Sequence, residues 1–146
     1  MYTATQLTNQ PLNHRHVFIG MSCGNIYIFD LEAKQLSTFF LDFKKQFPNS
    51  KPDSVTCIKC HPDKMHRILV SYERTAAVVY SINKDRSLFQ LNLDEKHIHK
   101  GRLLAVEWMS DVEILLGFSK GHLEVYNVQG GMFGASAKPV RILKFD

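Results

Sequence analysis

The sequence predicts an all-β chain made of three copies of one four-stranded antiparallel unit. Two observations carry this. First, Val17-Phe-Ile-Gly-Met-Ser-Cys-Gly-Asn-Ile-Tyr-Ile-Phe-Asp-Leu31, Ile68-Leu-Val-Ser-Tyr-Glu-Arg-Thr-Ala-Ala-Val-Val-Tyr-Ser-Ile82 and Ile114-Leu-Leu-Gly-Phe-Ser-Lys-Gly-His-Leu-Glu-Val-Tyr-Asn-Val128 align without a gap, their starts 51 and 46 residues apart. A fixed period of that size marks a repeat architecture. Second, each copy runs from an apolar triplet through a short turn to a stretch alternating with period two, which is the pattern of strand, turn, strand.

Taken in chain order, the first unit opens on a faint strand, Thr5-Gln-Leu-Thr-Asn-Gln-Pro11, with Leu7 and Pro11 in the places of Ile58 and Pro62 of the next unit. Its hairpin turns at Cys23-Gly24, where glycine supplies the positive φ that a two-residue turn requires. Gln35 to Leu41 supplies a fourth strand. The second unit begins with Val55-Thr-Cys-Ile-Lys-Cys-His-Pro-Asp63 and ends with Ser87 to Leu93. Its hairpin has Arg74-Thr75 at the turn, so that turn is expected to be of another type or strained. The third unit begins with Leu103-Leu-Ala-Val-Glu-Trp-Met-Ser-Asp111, turns at Lys120-Gly121 and ends with Val140 to Phe145. The connections Phe43 to Asp53 and Asp94 to Gly101 hold the proline, lysine and histidine that strands avoid, and they are expected at a rim.

Four-stranded units at this spacing, with an aromatic-polar-aliphatic ending to the third strand, are the signature of WD-type β-propeller blades. The expected architecture is one partial propeller domain over residues 1–146, with blades at about 1–42, 54–93 and 102–146. A single four-stranded sheet cannot bury both faces alone, and packing against like sheets around an axis hides them. Closed propellers typically need four to eight blades, so three are expected to leave an incomplete ring. The chain is expected to be a piece of a larger protein or a truncated product, with a ring completed by other copies of this chain as the alternative.

Length and composition agree with one folded domain. The chain has 146 residues, with 45% hydrophobic and 22% charged side chains, which is ordinary globular composition. Residues 1–20 are polar where a secretory signal needs an apolar stretch, and no apolar run approaches a membrane span. Three cysteines do not form a disulfide framework and suit a reducing compartment, so a cytoplasmic location is expected. The net charge of +4 is scattered along the chain, which argues weakly for any polyanion; no nucleic-acid partner is expected.

Gly24-Asn-Ile-Tyr-Ile-Phe-Asp-Leu31, a spacer with Pro48 and Pro52, Ser54-Val-Thr-Cys-Ile-Lys-Cys-His-Pro-Asp63 and Ile68-Leu-Val-Ser-Tyr-Glu73 together resemble the lethal giant larvae and tomosyn family. The resemblance runs from Gly24 to Lys84; the last blade fits as an ordinary WD blade. It implies a large cytosolic, non-enzymatic scaffold with two consecutive propellers. Such a scaffold binds plasma-membrane SNARE proteins and acts in vesicle docking, polarised exocytosis and cell polarity, with peripheral attachment at the plasma membrane. The alternative is a WD-repeat adaptor of an unrelated pathway, for assembly or ubiquitin ligation, that binds no SNARE.

No catalytic set stands out. Cys57-Ile-Lys-Cys60-His61 matches the C-x-x-C-H pattern of covalent haem attachment. On a strand, however, a three-residue separation sends the two thiols to opposite faces, and Cys60 is expected in the core where Trp108 sits one blade later. Cys23 is the only other thiol, which leaves no zinc spacing. His97 and His99, flanked by Lys96 and Lys100, are expected to be solvated loop residues rather than metal ligands, and His61 a locally bonded turn residue. Gly130-Gly131 lacks the lysine of a phosphate loop and is expected to be a flexible connection. No cofactor and no metal are therefore expected. The one candidate surface is a basic rim of Lys44, Lys45, Lys51, Lys96, Lys100 and Arg102, facing an acidic partner or lipid headgroups. Trp108, alternating with Leu104 and Val106, is expected in the core.

Overall fold

The computed structural model describes residues 3–9, 15–93, 99–129 and 138–144. Its elements are β1 (Ala4–Asn9), β2 (His16–Met21), β3 (Ile26–Asp30), β4 (Gln35–Leu41), α1 (Phe43–Gln46), β5 (Val55–Cys60), β6 (Arg67–Tyr72), β7 (Ala76–Ser81), β8 (Arg86–Asn92), β9 (Leu103–Trp108), β10 (Glu113–Phe118), β11 (His122–Asn127) and β12 (Arg141–Lys144). They form three four-stranded sheets, ordered β1-β2-β3-β4, β5-β6-β7-β8 and β9-β10-β11-β12. All pairs are antiparallel. The inner strands β1, β5 and β9 pack against one another in turn, so the sheets fan out as an open ring of blades.

The gapless alignment of the hairpins is a shared register. Ile19 pairs with Tyr27, Val70 with Val78 and Leu116 with Glu124, at the same step of each copy. A register shift also recurs where each inner strand begins, between Ala4 and Gln6, between Val55 and Cys57, and opposite Gly117/Phe118. Two of the three extra residues are threonines whose hydroxyls tie the irregular backbone. Thr5 Oγ1 donates to Val55 O at 2.6 Å, and Thr56 Oγ1 lies 3.1 Å from Ser71 O and 2.8 Å from Ser71 Oγ. Such bulges bend and twist a strand.

Burial follows position in the fan. The second sheet is covered on both faces, and β7, Ala-Ala-Val-Val-Tyr-Ser, is buried at every residue, as a near-continuous apolar run should be. In the third sheet β10 alternates half-buried and buried. The core is accordingly two seams. Phe18, Ile26, Ile28 and Leu41 meet Ile58, Ile68, Val70 and Tyr72 between the first two sheets. Leu69, Val79, Phe89 and Leu91 meet Val106, Trp108, Ile114, Leu116 and Phe118 between the second and third. Gly20 belongs to the first seam by necessity, since a Cβ there would lie 2.5 Å from Val55 Cγ1.

The connection after β4 differs from its expected character. Asp42 caps α1 by accepting from Lys44 N at 3.0 Å, and Phe43 and Phe47 turn inward onto Tyr72, with ring centroids 5.1 and 5.8 Å from it. A stretch placed at the rim for its lysines and prolines thus carries two core aromatics. Among the described residues, no helix is long and apolar enough to cross a membrane.

Candidate interaction rims

Each sheet ends in two sets of loops. At one rim lie the β2–β3, β6–β7 and β10–β11 turns together with the connections that lead into β5 and β9. Gly24 and Gly121 take φ of 98° and 79°, as their turns require. The β6–β7 turn has no glycine, and the connection supplies the remedy. Asp53, buried, accepts from Arg74 N at 2.9 Å and Thr75 N at 2.7 Å through Oδ2. Its Oδ1 accepts no hydrogen bond and lies 3.7 Å from Arg74 Nε. This turn is therefore of another type from its neighbours, closed by a borrowed carboxylate.

In the third sheet the same connection carries a cation. Lys100 Nζ donates to Glu124 Oε1 and Oε2 at 2.5 and 2.9 Å, with the Lys100 side chain 12% exposed and Glu124 fully buried. Tyr126 Oη donates to both Glu124 oxygens at 3.3 and 3.4 Å, and Lys100 Nζ stands 5.6 Å from the Phe118 ring centroid. Burial first, and then the Glu124 charge, push the Tyr126 phenol well above its ordinary pKa. In the second sheet the equivalent Tyr80 meets Tyr72, hydroxyl to hydroxyl at 3.0 Å.

These placements divide the six-residue basic rim. Lys100 is an interior ion pair rather than a rim cation, because the buried Glu124 carboxylate holds it in. Lys45 turns from its connection to Asp85 on the β7–β8 turn, at 2.7 Å. Lys44, Lys51 and Arg102 are exposed at this rim, and Lys96 lies outside the described residues. Lys44 also borders a cavity of about 560 Å³ with Cys23, Tyr27, Asp42 and Pro52. Of the two loop histidines, His97 lies outside the described residues, and exposed His99 stands edge-on to His122 with ring centroids 6.0 Å apart. The Gly130-Gly131 stretch lies outside them as well.

The opposite rim gathers the β5–β6, β7–β8 and β9–β10 turns. His61 is fully buried there. Its Nδ1 accepts from Asp63 N at 3.0 Å and Lys64 N at 2.9 Å, which leaves Nε2–H to donate to Asp111 O at 2.9 Å in the next blade. So His61 bonds locally and also bridges two sheets. Its ring lies 4.6 Å, edge-on, from Trp108, whose Nε1–H donates to Lys59 O at 3.0 Å. Trp108 belongs to the core seam, its ring nitrogen tied across it. The two thiols of Cys57 and Cys60 do face apart, one onto each seam. Burial pushes the Cys60 thiol up to about 11 and raises that of Cys57. Among the described residues, no group of three or more His, Cys, Asp or Glu gathers as a metal site.

A larger recess of about 640 Å³ lies between the first two sheets, lined in part by His16, Asp30, Thr38, Phe39, Met65 and His66. Beside it, Arg15 holds Asp30 in a two-pronged pair, NH2 to Oδ2 at 2.8 Å and Nε to Oδ1 at 3.1 Å, and the Asp30 carboxyl falls well below the usual carboxylate range.

Three sheets with one topology, one hairpin register and one recurrent bulge, packed inner strand to inner strand, decide the fold. The chain is three blades of a WD40-type β-propeller. It superposes on the C-terminal WD40 domain of Sif2 with a TM-score of 0.73 at 15% identity, covering 99% of this chain and 35% of that one. Raptor from Chaetomium thermophilum gives 0.70 at 13%, covering 98% and 12%. The β-propeller domain of Cps50 (Swd1) from Myceliophteria thermophila gives 0.67 at 10%, covering 97% and 36%. The chain thus spans about a third or less of the chains it matches. No protein-family model matches the sequence.

Proposed function

We propose that these blades belong to a non-enzymatic protein-interaction scaffold of the lethal giant larvae and tomosyn type, one that regulates SNARE-dependent vesicle docking and exocytosis. The observation that carries the proposal is the stretch Gly24 to Lys84. It resembles that family in its Phe29-Asp30-Leu31, His61-Pro62-Asp63 and Ser71-Tyr72-Glu73 steps, and those residues sit on two consecutive WD40 blades. Each of these steps has a structural task in the blades: Asp30 accepts from Glu32 N and Ala33 N in its turn, His61 bridges two sheets, and Tyr72 plugs a seam. A rigid fan carrying two sets of loops binds partners without chemistry, since loops on a stiff support vary while the sheets hold. The protein would act in the cytoplasm and at the inner face of the plasma membrane.

The test is an immunoprecipitation from the source cells with an antibody to this segment, read by mass spectrometry, together with capture of purified plasma-membrane SNAREs by the recombinant chain. Plasma-membrane SNAREs recovered with a bait well above 16.8 kDa are the expected result. Their absence from both experiments would overturn the exocytic reading and leave an adaptor of another pathway.

A further inference from the structure

At the rim opposite the glycine turns, a cavity of about 240 Å³ opens between the second and third blades. Lys64, Arg67 and Arg86 line it from the second blade, Leu88 and Val112 form apolar walls, and Gln129 closes one side. Strand pairing assembles this set: Arg67 is the register partner of Ser81, and Ser81 of Arg86, so both guanidiniums rise from one end of one sheet. Among the described residues, none of the three cations is ion-paired. Arg67 Nε is buried without a hydrogen-bond partner.

Of the carboxylates that sequence places beside these cations, Asp85, next to Arg86, takes Lys45 at 2.7 Å, while Asp63, next to Lys64, hydrogen-bonds the Asp111 carboxyl and feels the Lys64 charge without forming an ion pair with it. The pKa of His66, next to Arg67 in the chain, is lowered first by burial and then by the charges of Arg67, Lys64 and Lys84. A buried guanidinium atom without a partner and three convergent cations are an arrangement that an anion completes, and planar arginine forks match a phosphate with two parallel hydrogen bonds.

We propose that this inter-blade cavity is a phosphate-reading site, which takes a phosphorylated serine or threonine side chain presented by an extended segment of a protein partner. Size and shape select that occupant. At about 240 Å³ the space is below the range of drug-sized ligand pockets and sufficient for one phosphorylated side chain. The recess is concave and partly apolar, whereas attachment to an anionic bilayer relies on clusters of cations that protrude at its surface. Leu88 and Val112 can cover the methyl or methylene of the phosphorylated residue while the forks hold its oxygens. The site rests on the scaffold reading in that its ligand is a protein, but it does not depend on SNAREs.

The test measures fluorescence anisotropy of the full chain with a labelled alanine-glycine peptide carrying one central phosphothreonine, against its unphosphorylated twin. Phosphatidylcholine vesicles containing phosphatidylinositol bisphosphate are measured in parallel. The phosphopeptide is expected to bind about tenfold or more tightly than its twin, the preference falling as salt rises. Arg86→Glu, at an exposed position, is expected to abolish the preference without moving the melting temperature, and Arg67→Gln to weaken it. Equal binding of the two peptides, or a preference that survives Arg86→Glu, overturns the site. Vesicle binding with no preference between the peptides overturns it in favour of lipid. SNARE capture should persist in Arg86→Glu, so failure here is separable from failure of the exocytic reading.

Discussion

The second and third blades anchor their incoming connections to their own hairpins with opposite charges. In the second, Asp53 reaches the β6–β7 turn and satisfies two backbone N–H groups that no glycine conformation spares. In the third, the turn has its glycine, and Lys100 instead reaches past it to a carboxylate buried on β11. Glu124 occupies the step that Val78 fills one blade earlier, each paired with the same position of the preceding strand. What repeats is therefore the tie between connection and hairpin, while the chemistry of the tie is free to change. A repeat fold tolerates this because each blade contacts only its neighbours, so a local solution need not propagate.

The largest effect should come from the third-blade tie. Lys100→Met leaves the Glu124 carboxylate buried without its cation and is expected to cost about 3–5 kcal/mol, since an uncompensated interior charge is the costly half of such a pair. The double change Lys100→Met with Glu124→Val, which installs the second blade's residue, should recover most of that loss. Urea denaturation with a full thermodynamic cycle measures it. A double variant no more stable than the single would show that the network specifies this blade rather than merely neutralising itself.

The second-blade tie should be weaker and differently repaired. Asp53→Ala strands the Arg74 and Thr75 amides and is expected to cost about 1–3 kcal/mol. Adding Thr75→Gly gives the turn the residue that Gly24 and Gly121 supply in its neighbours, and should restore part of the loss by allowing a two-residue turn with positive φ. Thermal melting of wild type, single and double variants decides the matter. If Thr75→Gly lowers stability further in the Asp53→Ala background, the turn is not interchangeable between blades.

Much of this was legible in the sequence, for a definite reason. Period-two alternation and turn glycines are local signals, and they placed the hairpins and the fourth strand Gln35 to Leu41 at the observed positions. The Cys57 and Cys60 thiols facing apart likewise followed from strand geometry alone. What escaped were contacts made by one blade's connection with another element. Phe43 and Phe47 looked like rim residues because lysines and prolines surround them, and only packing against Tyr72 shows their role. Lys100 looked solvated because Glu124, its partner, lies 24 residues away on a strand that reads as half-polar. Similarly, Arg67 and Arg86 converge only through strand pairing, and no run of basic residues announces them.

The far rim of the same two blades sharpens the contrast, because like charges meet there. The Asp63 pKa is raised above 3.8, first by its hydrogen bond with the Asp111 carboxyl and then by that group's charge. A raised folded-state value means that the shared proton contributes stability fully below the unfolded pKa and that this contribution is lost as pH rises through the folded one. Asp63→Asn, which keeps a hydrogen-bonding group and drops one negative charge, should therefore raise the melting temperature slightly at neutral pH, with the gain vanishing in acid. Asp30 supplies the opposite sign: Arg15 lowers its pKa, so its contribution is present above 3.8 and lost as pH falls. Asp30→Asn should lower the melting temperature at neutral pH, and that difference too should close in acid. Melting curves from neutral to acid pH test both at once. If the two variants shift in the same direction at neutral pH, the paired aspartates are not repelling one another.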